Sequence, residues 1–282
     1  MAYRWTKPAN LVYPAGFTAE KAMAGELITV FGASGFIGKH VVRALCARGM
    51  RVRAAVRRPH IAHELRVLGV PGQVQLVQAN IRNPASVARA VEGVDGVVNL
   101  AAVLFQSGKQ KFLAVHAQGA RNVAEAARAA GVKRLVHISA IGADAESDSG
   151  YARSKAAGEQ AAREVFPEAT ILRPSVVFGV EDQFFNRFAN LLRFAPVFMP
   201  LPILFHGGKA KMQPVYVRDV AEAVARVIER PETAGRTYEL GGPRIYTFKE
   251  LLAFTLETID ADKDVDGFHL YNVGGLVLGE TA

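Results

Sequence analysis

Apolar runs of strand length alternate along the chain with amphipathic segments of helical period. The runs that we interpret as strands read LITVF, VRAAV, VQLVQA, GVVNLAAV, RLVHIS and ATILRPSVVF. Near-continuous apolar strands that alternate with helices are typical of a parallel sheet covered by helices on both faces. Gly49 and Gly131 each follow a helical segment, where a left-handed C-cap is favoured. The pattern predicts an α/β fold with a Rossmann-type, doubly wound parallel sheet.

The alternation loosens after about residue 178, so we divide the chain into four parts. The predicted parts are an N-terminal extension (1–25), a Rossmann domain (26–177), a small C-terminal α+β lobe (178–260) and an atypical tail (261–282). We expect the lobe to cover the carboxyl edge of the sheet, on the substrate or partner side, because open α/β sheets bind ligands there. The segment FAPVFMPLPILF (194–205) is interpreted as a lid, or as a surface that docks to a membrane or a partner protein.

Composition places the chain among ordinary globular proteins, with 282 residues, 50% of them apolar and 21% charged. No apolar run approaches the roughly 18 residues of a membrane span, so no transmembrane segment is predicted. Cys46 is the single cysteine and lies in an apolar helical stretch, which indicates a core residue in a reducing, cytoplasmic setting. The net charge of +8 favours phosphates, anionic lipid or an acidic protein as partners, and no nucleic acid is expected.

The segment GASGFIG joins the first predicted strand to the first helix and indicates a dinucleotide site. Its three glycines permit a tight turn and a close approach of the backbone to a pyrophosphate at the positive end of the helix. The spacing is G-x-x-G-x-x-G instead of the commoner G-x-G-x-x-G. The cofactor contacts expected in this turn are Gly32, Ser34, Gly35, Phe36, Ile37 and Gly38.

The next strand region, RVRAAVRRP, carries four arginines and no acid. In an NAD site an acid about 20 residues beyond the glycines binds the ribose 2′-hydroxyl, whereas arginine there accepts the 2′-phosphate of NADP. Arg57 follows the strand at that place with Arg58 beside it, and no acid occurs between Glu26 and Glu64. We therefore predict NADP(H) as the cofactor. The other arginines are expected on a solvated basic face: Arg48, Arg51 and Arg53.

A second motif, YARSK, places Tyr151 and Lys155 at the start of a predicted helix. Residues four apart share one helix face, so the ammonium can stabilise a phenolate and bind the nicotinamide ribose while the phenol donates a proton. The Y-x-x-x-K spacing is common by itself, but it is specific downstream of a glycine turn. Tyr151 and Lys155 are the candidate catalytic residues.

These motifs together resemble the extended and atypical branch of the short-chain dehydrogenase/reductase superfamily over roughly residues 26–260. Within that branch, HISAIGAD, YARSKAAGE, LRPSVVFG, PVYVRDVAEA and GRTYELGGP look most like bacterial relatives of the NADPH-holding accessory subunit of respiratory complex I. The resemblance implies bound NADPH, and partners among complex I subunits or at the inner face of the respiratory membrane. It also implies cofactor contacts at Asn80, Leu100, Ala101, Ala102, Val103, Ser139, Pro174 and Val177.

The chain departs from the active enzymes of this branch, which resemble one another in a set of Asn, Ser or Thr, Tyr and Lys. His116 stands where the Asn is expected, and Ala140 stands where the hydroxyl residue is expected. Ser139 comes one position early, and a slip of one residue turns a strand side chain to the opposite face. Ser139 is therefore a doubtful catalytic residue unless the strand ends there. Losing such a donor costs about 10²- to 10³-fold in rate.

We therefore predict an NADP(H)-binding protein that holds its cofactor with little turnover, as a complex-I-accessory-like subunit or an assembly or stability factor. The alternative is an NADPH-dependent oxidoreductase, or an epimerase or dehydratase, that acts on a carbonyl or sugar-like substrate. Ala140 and His116 are the residues that separate the two functions, because they occupy the positions of the missing donors.

Two other features are weaker. Asp262, Asp264 and Asp266 resemble the opening of a calcium loop, but Val273 stands at the position of the bidentate Glu. His206 lies in a predicted loop and is interpreted as a surface residue. No metal site is expected.

Overall fold

The computed structural model describes residues 25–194 and 209–260. The strands in this part of the chain are β1 (Leu27–Phe31), β2 (Arg51–Val56), β3 (Val74–Gln78), β4 (Gly96–Asn99), β5 (Arg134–Ile138), β6 (Thr170–Pro174), β7 (Val177–Phe178), β8 (Lys211–Met212), β9 (Val215–Tyr216), β10 (Thr237–Leu240) and β11 (Tyr246–Thr247).

The α-helices in the same ranges connect these strands. They are α1 (Phe36–Ala47), α2 (Pro84–Val91), α3 (Gln118–Ala129), α4 (Gly150–Val165), α5 (Phe185–Phe194), α6 (Val217–Glu229) and α7 (Phe248–Asp260). Short 3₁₀ turns occur at Pro59–Ile61, His63–Leu68 and Pro231–Thr233. A π-helical turn at Leu113–Ala117 continues directly into α3. The predicted C-caps are confirmed, since Gly49 and Gly131 have φ of +82° and +68°.

Seven strands form one parallel sheet in the order β10-β6-β5-β4-β1-β2-β3. Val30 of β1 lies opposite Ala54 of β2 on one side and Val98 of β4 on the other. The strand order reverses between β1 and β4, and ligands of open α/β sheets bind at the carboxyl ends of the strands beside such a reversal. The predicted Rossmann-type fold is confirmed.

Helices cover both faces of this sheet and bury its apolar side chains. On one face α1 and α6 contribute Leu45 and Ile228, and on the other α2 and α3 contribute Val87 and Val123. Cys46 is fully buried in the first of these cores, and burial raises the pKa of its thiol to about 12. The prediction that Cys46 is a core residue is confirmed.

One strand of the large sheet comes from the range that the sequence assigned to the smaller lobe. β10 pairs in parallel with β6, with Tyr238 opposite Leu172. Its pattern, TYEL, alternates and is compatible with any edge position, so the sequence did not indicate which sheet it joins. The sheet therefore extends beyond the predicted boundary at residue 177.

Apart from α6, which packs on the main sheet, the other elements from residue 177 onward form short two-stranded sheets and an aromatic cluster. β7 pairs with β9 and β8 pairs with β11. Phe184, Phe188 and Phe248 pack edge to face between α5 and α7. Asp182 is buried, and its Oδ1 accepts hydrogen bonds from the first backbone N–H groups of α5, including that of Phe185 at 2.7 Å.

Several predicted features lie outside the described residues. These are the N-terminal extension up to residue 24, residues 195–205 of the predicted lid, His206, the three aspartates Asp262, Asp264 and Asp266, and the tail from 261. Within residues 25–194 and 209–260, no helix is both long and apolar enough to cross a membrane. The same ranges contain no group of three or more His, Cys, Asp or Glu side chains arranged to hold a metal ion.

Candidate functional site

The predicted site residues all follow strands of the parallel sheet at its carboxyl edge or lie in elements next to it. The glycine turn follows β1, Arg57 and Arg58 follow β2, and Asn80 comes after β3. The segment from Leu100 to Val103 follows β4, Ser139 follows β5, and Pro174 ends β6 just before Val177. Tyr151 and Lys155 lie in the first two turns of α4. The parallel arrangement thus brings residues from across the chain to one edge.

The turn after β1 has the backbone geometry that its glycines allow. Gly32 has φ of +79°, a conformation that favours glycine, and the Gly35 N–H donates to the Gly32 carbonyl at 3.0 Å. A Cβ on Gly38 would lie 2.2 Å from the Gly32 oxygen, so α1 packs directly on the turn. Helix α1 begins without a side-chain cap and without an acidic residue in its first turn. Its first N–H groups therefore remain available to an anion.

The loop after β4 lies against this turn. A Cβ on Gly32 would come within 3.1 Å of the Ala101 nitrogen. The buried Asn99 side chain accepts a hydrogen bond from the Ala101 N–H at 3.1 Å and contacts His137 Nδ1 through its amide nitrogen at 3.2 Å. Asn99 therefore holds the backbone of this loop at the point where the strand order reverses.

The arginines around β2 divide into two groups. Arg57 and Arg58 are exposed, and their side chains have no hydrogen bond or ion pair within the described part of the chain. We expected the other three arginines to lie on a solvated basic face, and this prediction was wrong. Arg48 pairs with Glu222 and Glu229 of α6, Arg51 donates to the Gly25 carbonyl, and Arg53 donates to the carbonyls of Ala90 and Glu92. These three side chains are half-buried and connect the sheet to neighbouring segments.

Asn80 is held in a local turn after β3. The side-chain oxygen of Asn80 accepts a hydrogen bond from the Arg82 backbone N–H at 3.1 Å. The backbone N–H of Asn80 donates to Ser86 Oγ at 3.0 Å. The remaining hydrogen-bonding group of its side chain is the amide nitrogen, and the residue as a whole is half-buried. Asn80 therefore shapes the turn as well as lying beside the predicted site.

Lys155 is the most buried cation of the site. It is 3% exposed, and its Nζ donates to the Ile138 carbonyl at 2.8 Å. Burial lowers the pKa of Lys155 to about 8, and the nearby Glu159 carboxylate opposes that shift. Lys155 therefore remains mostly protonated at neutral pH, with its ammonium fixed at the end of β5.

Tyr151 lies one turn before Lys155 and is half-buried. Burial raises the pKa of its phenol, so the neutral phenol is favoured. The Lys155 ammonium donates one of its three hydrogens to the Ile138 carbonyl, and its expected role in stabilising a Tyr151 phenolate stays a prediction. The phenol ring packs edge to face against Phe112 and His116, with centroids 5.7 and 5.6 Å away.

His116 lies in the π-helical turn and is only 2% exposed. Its Nε2 accepts the Val103 N–H at 3.1 Å, and its Nδ1 lies 2.8 Å from Ser154 Oγ. Burial, reinforced by the charge of Lys155, lowers the pKa of His116 to about 4. The fully buried His137 responds in the same way, and its pKa falls to about 3. Both imidazoles are therefore neutral near pH 7.

Ser139 follows directly after the last residue of β5, so the strand does end there. Its N–H donates to the Leu172 carbonyl at 2.7 Å. Its hydroxyl is buried, with the residue 4% exposed, and has no hydrogen-bond partner within the described residues. Ala140, at the position expected for a hydroxyl residue, has no polar side-chain atom. An unpaired buried hydroxyl in this place indicates that a further polar group belongs beside it.

The sequence reasoning missed one ion pair behind the site. Arg173 of β6 donates two hydrogen bonds to the buried Glu159 carboxylate, at 2.9 and 2.8 Å. Glu159 lies four residues after Lys155 on α4, and this i,i+4 spacing was visible in the sequence. The hydrogen bond from His116 to Ser154 was also missed, and no sequence signal indicates it.

A family model described as the NAD dependent epimerase/dehydratase family matches residues 28–241. The chain belongs to this family. The match includes the glycine turn, the Y-x-x-x-K pair and the segment around β10, and it confirms the predicted membership of the extended short-chain dehydrogenase/reductase branch. Members of this family bind NAD(P).

Two relatives and one solved structure are similar to this chain over most of its length. The mouse mitochondrial NADH dehydrogenase (ubiquinone) 1 alpha subcomplex subunit 9 is 37% identical over 247 residues, which are 87% of this chain and 64% of that protein. The ceramide reductase of Caulobacter vibrioides is 34% identical over 208 residues, covering 74% of this chain and 62% of that enzyme. This chain therefore spans just under two thirds of either relative.

The solved structure is the dTDP-glucose 4,6-dehydratase of Streptomyces venezuelae with NAD bound. It superposes with a TM-score of 0.69 at 26% identity and covers 83% of this chain and 81% of its own. The similarity therefore covers most of both chains.

The described residues fit the dinucleotide that this family binds. The uncapped start of α1 and the turn at Gly32 and Gly35 suit a pyrophosphate. Lys155 presents an ammonium, and Ser139 presents an unpaired hydroxyl. When bound, the cofactor supplies hydride chemistry, and the contribution of the protein is to bind it and orient it.

Proposed function

We propose that this protein binds NADP(H) and holds it with little turnover, as a complex-I-accessory-like subunit or an assembly or stability factor. The proposal rests on one observation: of the four residues expected in an active enzyme of this branch, two are present and two are replaced. Tyr151 and Lys155 are present and can grip the nicotinamide ribose, whereas the positions of the two other expected donors hold Ala140 and a fully engaged His116.

Nucleotide binding and turnover depend on different groups of this site. Rate acceleration requires interactions that are stronger in the transition state than in the ground state. Ala140 offers no hydrogen bond to an oxygen on which charge develops, and the raised pKa of Tyr151 does not favour the phenolate. The ribose contacts do not depend on either feature. Nucleotide affinity is therefore retained while proton transfer to a carbonyl is unsupported.

The preference for NADP(H) over NAD(H) rests on Arg57 and Arg58. Both side chains are exposed after β2 and unpaired within the described part of the chain, whereas Lys39 nearby is paired with Glu64 and Glu181. Charge-assisted bonds to a phosphate are about twice as strong as neutral ones, so a preference of about tenfold is expected. Arg57→Ala should reduce it, and equal affinity of the unaltered protein for both nucleotides would contradict the proposal.

Turnover is tested by following NADPH oxidation with quinones, aldehydes, ketones and nucleotide sugars. We expect a rate far below the ordinary enzyme median of about 10 s⁻¹. The Tyr151→Phe variant should loosen the nucleotide modestly without abolishing any robust activity. A multiple-turnover rate near that median, lost in Tyr151→Phe, would overturn the proposal.

The proposed partners follow from the mouse relative, which is named as a subunit of NADH dehydrogenase. We propose a cytoplasmic protein, peripheral on the inner face of the respiratory membrane. Residues 26–177, completed by α6 and β10, form the nucleotide-binding domain, and the other elements of 178–260 form the side that meets complex I. Detergent-solubilised membranes should show the protein comigrating with complex I on a native gel. Its migration as a free species in membranes that contain intact complex I would contradict this part.

A second candidate is an NADPH-dependent oxidoreductase, or an epimerase or dehydratase. Ser139 favours it, because β5 ends at Ile138 and the serine hydroxyl is buried without a partner. The ceramide reductase of Caulobacter vibrioides is a relative of comparable identity. The test adds a ceramide that carries a ketone, dispersed in detergent, to the substrate panel, because hydride from NADPH needs a carbonyl acceptor. NADPH oxidation that disappears in Ser139→Ala, at unchanged nucleotide affinity, would favour this function.

A further inference from the structure

His116 joins two elements that a nucleotide at this site has to meet. Val103 belongs to the loop after β4, and Ser154 belongs to α4 between Tyr151 and Lys155. The imidazole contacts both, through Nε2 to the Val103 N–H at 3.1 Å and through Nδ1 to Ser154 Oγ at 2.8 Å. The two contacted residues are far apart in the chain, so this ring is a tertiary connection between the loop and the catalytic helix.

The hydrogen bonds define which nitrogen carries the proton. A backbone N–H only donates, so Nε2 must be the unprotonated acceptor, and Nδ1 then carries the hydrogen and donates to Ser154. The Ser154 hydroxyl in turn donates to the Tyr151 carbonyl at 2.7 Å. The hydrogen bonds thus form a series in which Val103 donates to His116, His116 donates to Ser154 and Ser154 donates to Tyr151. Both ring nitrogens are used, so His116 has no free proton to give to a substrate.

Packing fixes the ring as well. Phe112 stacks on the imidazole with centroids 5.4 Å apart and planes 17° apart, and the Tyr151 ring meets it edge on. A Cβ on Gly158 would lie 2.5 Å from the His116 carbonyl, so α4 approaches the π-helical turn without an intervening side chain. The ring therefore has one position available, in contact with the candidate proton donor.

We propose that His116 is a positioning residue that fixes the loop after β4 against the helix of Tyr151 and Lys155, and so sets the nicotinamide end of the nucleotide site. The inference rests on the proposed NADP(H) site. The glycine turn meets the loop after β4 at Ala101, which Asn99 holds independently of His116, and Arg57 follows β2. Binding of the pyrophosphate and of the adenosine 2′-phosphate should therefore not depend on His116. His116 should therefore affect the binding of the nicotinamide half of the cofactor and not of the adenosine half.

The test compares NADPH with adenosine 2′,5′-bisphosphate, a fragment that lacks the nicotinamide half. His116→Leu removes both hydrogen bonds and should weaken NADPH by about tenfold while the fragment binds unchanged. His116→Gln can accept from Val103 and donate to Ser154, so it should restore most of the NADPH affinity. Equal weakening of NADPH and the fragment in His116→Leu, or no rescue by His116→Gln, would overturn the inference.

A second measurement does not depend on nucleotide binding. In the unaltered protein, ¹⁵N NMR of the imidazole should show hydrogen on Nδ1 and none on Nε2, and the Val103 amide should exchange slowly with solvent. Hydrogen on Nε2, or fast exchange of the Val103 amide, would also overturn the inference. If the unaltered protein binds neither NADPH nor the fragment, the proposed function fails, and the NMR result still decides whether His116 connects the loop to α4.

Discussion

Acid should destabilise this protein well above the pH at which its carboxylates titrate, because two histidines are buried in the neutral form. The pKa values of His116 and His137 are lowered to about 4 and about 3 by burial. In the unfolded chain both return to about 6.5. Between these pKa values the two histidines are protonated in the unfolded chain and neutral in the folded protein. The free energy of unfolding is therefore highest above about pH 6.5 and falls as the pH is lowered.

The magnitude follows from the shifts. Each pH unit inside the window costs about 1.4 kcal/mol per histidine, so at about pH 5 each histidine lowers the free energy of unfolding by about 2 kcal/mol. Together His116 and His137 should cost about 4 kcal/mol between about pH 7.5 and pH 5, a large share of the roughly 5–15 kcal/mol typical of a folded protein.

Carboxylates and Lys155 contribute little to the change in stability between about pH 5 and 7.5. Glu222, whose pKa is lowered by its hydrogen bond with Arg48, supplies stability that is lost only below its unfolded value of 4.5. Lys155 is protonated in both states below about pH 7, since its pKa in the folded protein is about 8. Between about pH 5 and 7.5 the loss therefore comes from histidines, and His40, whose pKa is also lowered by burial, adds to the effect of His116 and His137.

The assay is urea unfolding followed by circular dichroism at about pH 7.5 and about pH 5, on the unaltered protein and on His137→Gln. Glutamine keeps an acceptor for the Asn99 amide but does not titrate. We expect the acid-induced loss to shrink from about 4 to about 2 kcal/mol. A loss below about 1 kcal/mol in the unaltered protein, or the same loss in the variant, would refute the reasoning.

Three further predictions concern other contacts. Gly38→Ala should destabilise the fold by about 1–3 kcal/mol and abolish NADPH binding, because its Cβ would lie 2.2 Å from the Gly32 oxygen; denaturant unfolding and nucleotide titration measure both. Glu159→Gln should lower the Lys155 pKa, seen by NMR of the ammonium, and cost about 1–3 kcal/mol by breaking the pair with Arg173. Asp182→Ala should cost about 1–2 kcal/mol in thermal or urea unfolding, since the start of α5 loses its acceptor.

The parts of this protein that the sequence determined are local. Near-continuous apolar runs, separated by helical patterns, specify a parallel α/β sheet because each strand is buried on both faces by the helices between the strands. Gly32 adopts positive φ, which the glycine turn required, and Tyr151 and Lys155 share one helix because they are four residues apart. The carboxyl edge of the main sheet was predictable as the site, since all seven of its strands run parallel.

Tertiary structure decided the features that depend on partners distant in the chain. Arg48, Arg51 and Arg53 read as a basic stripe, yet each is bound to a carboxylate or carbonyl that the fold brings to it. The strand β10 joins the main sheet, and His116 connects Val103 to Ser154, through contacts that no local pattern encodes. A buried polar group must find a partner wherever the packed chain offers one, and that choice exists only after the elements have come together.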